Sequence, residues 1–468
     1  MSSEITLQRL QNLIKAYDVR GIVPTDLDEN ICYLIGQAFV VALKLRKADG
    51  GCGQVVIAHD MRPSGPALVK SFAQGVTEQG VDVLHMGLAS TDGLYFATGF
   101  LNIAGAMFTA SHNPAPYNGI KMAQAFAKPI GRDSGLDFIR QVLVNGNYDA
   151  PDKNKKGNTT FQDLLEEYAQ FLNGLVDCKE IRPLKVVIDA GNGMAGHTAP
   201  KIFANLPIEV IPMFFELDGT FPNHEANPID AANLVDLQAS VLANKADLGL
   251  AFDGDADRCF LVDEKGDLVD PSLLSALIAQ REIIKNPGAT IIYSLISSRI
   301  VPETILANGG KPLRSRVGHS FIKSMMAESG AVFAGEHSGH FYFEKFWGAD
   351  SGALAALHAL AALGSTEADT TLSQLLSPYA KYVQSGEINT KVSDIQEVIS
   401  KIKLNYLNHP DLLEIDELDG LMVISKKWWF NLRGSNTEPL LRLNVEGDTG
   451  AIMASIRDEV LELIAKVK

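Results

Sequence analysis

Three times along this chain an apolar, β-branched-rich run is followed by a helical segment, a second such run, and a third that flows into a polar loop. The first runs are Gln54–Ala58, Lys185–Ile188 and Thr290–Ser294, and the second are Val81–His85, Ile208–Met213 and Pro312–Val317. The third are Ala104–Phe108, Asp247–Phe252 and Ala331–Ala334. Near-continuous apolar strands separated by amphipathic helices predict an α/β fold, with mixed sheets covered by helices on both faces. Spacing within the three units varies, so this is an echo of structure rather than a strict sequence repeat.

The last quarter reads differently. Met422–Ile424 and Lys427–Leu432 flank a turn, Leu440–Val445 extends the pair, and Ile452, Ile456, Val460 and Ile464 recur at helical spacing. A smaller C-terminal α+β domain is predicted there. Breaks at Asn145–Lys156, Glu264–Pro271 and Gly364–Asp369 suggest domains at 1–153, 154–266, 267–372 and 373–468.

In α/β units, ligands gather at the carboxyl ends of strands, where the three polar loops fall. The first is Thr109-Ala110-Ser111-His112-Asn113-Pro114, a hydroxyl, an imidazole and a carboxamide in a turn closed by proline. Alone it is most often just a turn. The second is Asp253-Gly254-Asp255-Ala256-Asp257-Arg258. On a strand its carboxylates would share one face and repel unless a cation neutralised them. Mg²⁺ with oxygen ligands suits a site shared with phosphate. The rival is a Ca²⁺ loop closed by Glu264, but Arg258 stands where that loop requires glycine. A solvated acidic turn is the plainest alternative.

In the third loop, Glu336, Ser338 and His340 alternate after Ala331–Ala334 and suit vicinal sugar hydroxyls, although Glu336 also reads as an exposed or capping residue. A fourth loop, Arg433-Gly434-Ser435-Asn436-Thr437, offers a guanidinium fork and two hydroxyls to a phosphate dianion, or else forms a surface hairpin turn. Tyr17, Arg20, Lys121 and His319 are further candidates. Arg20 suits a phosphate, and Lys121 follows Ser111 closely enough to share its site.

Charge narrows the partners. Forty-one Lys and Arg against 56 Asp and Glu leave a net charge of −15, which argues against nucleic acid or an anionic membrane as the main partner. Four scattered cysteines, Cys32, Cys52, Cys178 and Cys259, make no disulfide framework. The N-terminus has no signal-peptide core, and the most apolar stretch, Ala353–Leu363, is too short to span a bilayer. A cytoplasmic protein is expected, as a monomer or weak homodimer.

Taken together and in this order, Thr109–Pro114, Asp253–Arg258, Gly335–His340 and Arg433–Pro439 resemble the α-D-phosphohexomutase superfamily, in particular its bacterial phosphomannomutase/phosphoglucomutase branch. The resemblance runs from about Lys15 to the C-terminus. It implies three similar α/β domains and a mobile fourth around a central cleft, with Ser111 as the phosphorylated residue. Asp253, Asp255 and Asp257 would hold Mg²⁺ together with an oxygen of phosphorylated Ser111. Glu336 and Ser338 would bind the sugar, and Arg433, Ser435, Asn436 and Thr437 the non-reacting phosphate. Arg20, Lys121, Arg258 and His319 would line the reaction centre, Lys121 or His319 as its base, with His112 and Asn113 part of the serine loop.

The activity so implied is reversible phosphoryl transfer between C6 and C1 of mannose phosphate, and of glucose phosphate, through a hexose 1,6-bisphosphate. Phosphoglucosamine mutation, sugar-phosphate hydrolysis and non-catalytic binding of phosphosugar or Ca²⁺ are the alternatives. One departure is visible: members of this branch usually carry a lysine in the segment where this chain reads Tyr293–Ser298.

Overall fold

A computed structural model describes residues 7–146, 156–178, 180–434 and 440–467. Four sheets follow one another along the chain. In each of the first three the earliest apolar run is central, with the second and third runs parallel on either side. The third run then returns by an antiparallel strand. Thus Ala104–Phe108 returns as Tyr117–Ala123, Leu248–Phe252 as Cys259–Asp263, and Phe333–Gly335 as Phe341–Phe343. The polar loops are the three connections.

The return strands correct one expectation. The three aspartates do not lie along a strand, because the chain leaves the sheet after Phe252 and re-enters it at Cys259. A turn, not strand alternation, gathers them. The break expected at Asn145–Lys156 lies largely outside the described residues. The break at Glu264–Pro271 includes Leu268–Val269, which pairs back onto Leu261 and Val262 of the second sheet.

One apolar core runs from the first sheet into the third and includes Phe96, Met107, Ile188, Leu250, Leu277 and Phe333. Its centre is the helix Gly352–Gly364, all thirteen residues of which are buried. Ser351 caps it by accepting from the Leu354 N–H. Each leucine buried there contributes roughly 1.5–3 kcal/mol. This is the apolar stretch too short for a membrane, and no helix among the described residues is long and apolar enough to cross one.

The fourth sheet is wholly antiparallel, with helices Ile395–Tyr406 and Gly450–Val467 and a core of its own around Tyr406, Leu432, Leu443 and Val460. It meets the third unit through a small apolar cluster, Leu295 and Ile296 against Met422 and Trp429. The segment Tyr293–Ser298 therefore contributes an interdomain seat. Beside it Arg299 donates to Glu446 and Asp448 at 3.0 Å and to the Lys426 carbonyl at 3.0 Å, and lies over the Tyr382 ring.

Candidate active site

Ser111 is buried and adopts a left-handed backbone, φ +50°. For a non-glycine residue this costs of order 1–3 kcal/mol and needs a surrounding structure that enforces it. Its hydroxyl donates to Asp253 Oδ2 at 2.7 Å and accepts from Arg258 Nη2 at 3.1 Å. Gly254 allows the approach, since a Cβ there would stand 2.5 Å from the Ser111 carbonyl oxygen. Two loops separated by 142 residues thus meet at one hydroxyl.

The three aspartates offer one oxygen each within 4.8 Å of one another, and all are buried. Burial, reinforced by Asp257 and Asp255 and opposed by Arg258, pushes the Asp253 carboxyl up to about 7. Burial also works against ionisation of Asp255, but Lys121 outweighs it and holds that carboxyl well below the usual range. Lys121 Nζ donates to Asp255 and Asp257, each at 2.7 Å, and the Thr91 hydroxyl donates to Asp255 at 2.6 Å.

Arg258 grips Asp253 through Nε at 2.9 Å and also bonds His112 Nδ1. Burial, then Arg258 and Arg20, push the His112 imidazole well below its ordinary value, so it is neutral. Arg20 donates to the Ala110 carbonyl at 3.2 Å, to Asn113 Oδ1 and to Asp18, and its Nε is buried with no hydrogen-bond partner.

The third loop comes alongside. Glu336 is buried and accepts from the Gly318 N–H at 3.2 Å and the Tyr342 hydroxyl at 2.6 Å. Tyr17 abuts the same glycine, its hydroxyl 3.2 Å from where a Cβ would stand. Ser338 is half-buried. His340 Nδ1 lies 2.8 Å from Asp350 and 3.8 Å from Asp257. Asp350 in turn pairs with buried Lys323 at 2.7 Å, which lies over Tyr95 of the first unit.

The fourth loop is partly described. Arg433 is buried, pairs with Glu387 at 2.9 Å, and stands opposite Arg442 on the next strand. Burial, then Arg433 and Arg442, push the His337 imidazole down to about 3. Ser435, Asn436 and Thr437 lie outside the described residues, as does the side chain of His319, whose backbone opens the helix His319–Ser329.

Several neighbours of the site carried no motif: Thr91, Lys323 and Asp350, and also Arg62, which donates to the Ser111 carbonyl at 2.8 Å, with its partner Asp60. Asp60 and Arg62 directly follow the strand Gln54–His59, so the strand-end rule that singles out Ser111 also points to them.

The residues present fit Mg²⁺. The donors are all oxygen, and Asp255 Oδ1 and Asp257 Oδ1 are buried without hydrogen-bond partners. The Ca²⁺-loop reading does not hold, because Glu264 turns away to bond Ser373 through Oε1 at 2.5 Å and Oε2 at 3.0 Å.

Three sheets of one plan and a fourth of another, with a loop from each of the first three at a shared centre, define a phosphohexomutase architecture. Residues 11–144, 166–266, 270–382 and 387–463 match, in order, the alpha/beta/alpha domains I, II and III and the C-terminal domain of phosphoglucomutase/phosphomannomutase. The chain belongs to that family of enzymes. It is 38% identical to a phosphomannomutase of Vibrio cholerae, over 97% of this chain and 98% of that one. It is 36% identical to a phosphoglucomutase of Neisseria meningitidis, over 97% of each chain. A crystal structure of a phosphoglucomutase/phosphomannomutase family protein from Burkholderia thailandensis superposes with a TM-score of 0.88 at 33% identity, covering 98% of both chains. Members of the family are Mg²⁺-dependent phosphohexomutases, in keeping with the aspartate trio.

Proposed function

We propose that this enzyme interconverts the 6- and 1-phosphates of mannose, and also of glucose, with Ser111 as the phosphoryl carrier and hexose 1,6-bisphosphate as the intermediate. The observation that carries the reading is the Ser111 hydroxyl, 2.7 Å from Asp253 and 3.1 Å from the Arg258 guanidinium.

In the first half-reaction a sugar hydroxyl attacks the phosphorus on Ser111. The new P–O bond forms as the P–Oγ bond breaks, and the hydroxyl proton passes to a base. In the second half-reaction Ser111 Oγ takes the other phosphoryl group, and the sugar oxygen so released recovers the proton. Charge on the transferring group is met by Arg258, with Arg20 beside it. Mg²⁺ at Asp253, Asp255 and Asp257 supplies Lewis-acid stabilisation to the same group when bound.

Three residues compete for the proton. Lys121 is held by two carboxylates; burial opposes its charge, but Asp255 and Asp257 outweigh it and keep the ammonium. His319 remains a sequence-based candidate. We favour His340, whose imidazole lies 2.8 Å from Asp350 and 3.8 Å from Asp257, next to the aspartate trio.

Glu336, oriented by Gly318 and Tyr342, binds the sugar 3- and 4-hydroxyls with Ser338, while Arg433, Ser435, Asn436 and Thr437 hold the distal phosphate. Tyr17, His112 and Asn113 complete the wall. Mannose and glucose share those two hydroxyls and differ at C2, so the grip does not separate them; mannose comes first because relatives of similar length are named phosphomannomutases. We place the domain limits at about 1–161, 162–269, 270–382 and 383–468, later than the sequence breaks at 153, 266 and 372, because Thr159–Phe161 pairs with the first sheet, Leu268–Val269 with the second, and Leu372, Leu376 and Tyr379 pack into the core of the third unit. We place the enzyme in the cytoplasm as a monomer or weak dimer.

The test is a coupled assay on mannose 1-phosphate and glucose 1-phosphate with Mg²⁺ and glucose 1,6-bisphosphate, alongside intact-mass analysis. Isomer interconversion with one phosphate on the protein supports the reading. Stoichiometric release of inorganic phosphate would make the enzyme a hydrolase instead.

A further inference from the structure

Arg62 is almost wholly buried, and each N–H of its guanidinium has an acceptor. Nε donates to Asp60 Oδ2 at 3.2 Å. Nη1 donates to the carbonyls of Pro114 and Tyr117, both at 2.9 Å. Nη2 donates to the carbonyls of Ser111 at 2.8 Å and Asn113 at 2.7 Å. Three of the five acceptors are therefore main-chain oxygens of the serine loop, and a fourth belongs to Tyr117, which opens the return strand. The second unit covers the outside: the Phe221 ring lies 5.2 Å from the guanidinium, and a Cβ on Gly219 would stand 2.7 Å from Arg62 Cα.

We propose that Arg62 is a positioning residue for phosphoryl transfer: its guanidinium fixes the left-handed Ser111 so that Oγ meets Asp253 and Arg258. This rests on the reading of Ser111 as phosphoryl carrier and deepens it. Between Phe108 and Tyr117 backbone N–H groups take the Ala110, Pro114 and Pro116 carbonyls, while the Ser111 and Asn113 carbonyls are taken by Arg62, and buried carbonyls require donors. A planar fork of five donors can take three of them together with the Tyr117 carbonyl and still anchor to Asp60; an ammonium, with three donors, cannot. Because one of the four is the carbonyl of Ser111 itself, loosening the fork moves the reacting oxygen directly. A displacement of about 1 Å at such a centre costs on the order of a hundredfold in rate. The distal phosphate is gripped from the fourth unit and the sugar 3- and 4-hydroxyls from the third, so ground-state binding depends little on Arg62.

The experiment compares wild type, Arg62→Lys and Asp60→Asn with Mg²⁺ and glucose 1,6-bisphosphate. Intact mass counts phosphorylated sites, steady-state kinetics give kcat and KM for mannose 1-phosphate, and thermal melts report stability. For Arg62→Lys, kcat per phosphorylated site is expected to fall about a hundredfold with KM within about threefold of wild type. A merely structural arginine would lower the melting temperature or the fraction of active sites while leaving kcat per site intact; that result overturns the proposal. Should Arg62→Lys fail to fold, Asp60→Asn keeps the guanidinium but loosens its anchor. It is expected to lower kcat per site about tenfold at unchanged KM, and an unchanged kcat overturns the proposal. Wild type without phosphate on Ser111, or a fully active Ser111→Ala, would defeat the underlying reading and this one with it. A phosphorylated wild type whose kcat per site Arg62→Lys reproduces defeats this one alone.

Discussion

Arg299 holds Glu446 twice, through its backbone N–H at 3.2 Å and its Nε at 3.0 Å, across the junction of the third and fourth units. Glu446 is fully buried and also accepts from Trp429 Nε1 at 2.7 Å. Arg299→Met leaves that carboxylate without its cation, a loss of about 3–5 kcal/mol for a buried pair. The last unit is expected to undock. KM for mannose 1-phosphate should rise at least about tenfold, and tryptophan emission should shift to the red. Wild-type KM and spectrum would show that the apolar seat at Leu295 and Ile296 suffices by itself.

Ser111→Ala removes the hydroxyl without disturbing the loop carbonyls. Turnover should fall by on the order of 10⁴-fold or more, as for loss of a covalent nucleophile, while calorimetric binding of mannose 1-phosphate survives. Residual activity near wild type would exclude Ser111 as the carrier.

Asp255→Asn takes one carboxylate from the trio and from Lys121 and Thr91. A loss of roughly a thousandfold in kcat is expected. Chelation should silence the wild type, with Mg²⁺ restoring the rate and Ca²⁺, which prefers more ligands at longer range, restoring little. Equal rescue by both ions would contradict the proposed site.

Asp92 is a test of stability against pH. Burial, eased by hydrogen bonds from Ser90 at 2.5 Å and Ser351 at 2.7 Å, pushes its carboxyl up to about 6. A carboxyl raised by folding favours the protonated native state. Its contribution is complete below about pH 4 and is lost as pH climbs through about 6. A rise of about two pH units corresponds to roughly 3 kcal/mol. Asp92→Asn stays neutral throughout, so urea unfolding should find it more stable than wild type at pH 8, by up to about 3 kcal/mol, and no more stable at pH 4. The same difference at both pH values would refute this account.

Ala104–Phe108 and Thr290–Ser294 were legible because they lie inside their sheets, largely buried, and read as apolar runs; both match the sequence expectation residue for residue, as does Ile208–Met213, a half-exposed edge strand marked by its β-branched residues. The return strands were not. Tyr117–Ala123 carries Asn118 and Lys121 among its apolar residues, and Thr159–Phe161 and Val383–Lys391 are exposed edges whose pairing depends on the neighbouring strand. At the site, Ser111 and the aspartates stood out through local spacing. Arg62 and Asp350 did not, because their partners are distant in sequence. The carbonyls that Arg62 holds lie 49 to 55 residues away, and nothing in Met61-Arg62-Pro63 announces them.

The helix Gly352–Gly364 packs against helices Leu165–Leu175 and Pro271–Lys285 and the strand Cys259–Asp263, yet it is among the last parts of that shared interior to be synthesised. On the ribosome, the earlier sheets must wait for it with greasy surface uncovered, a state open to chaperones and to sticking. The terminal lobe, which keeps a separate interior, can collapse afterwards at its own pace.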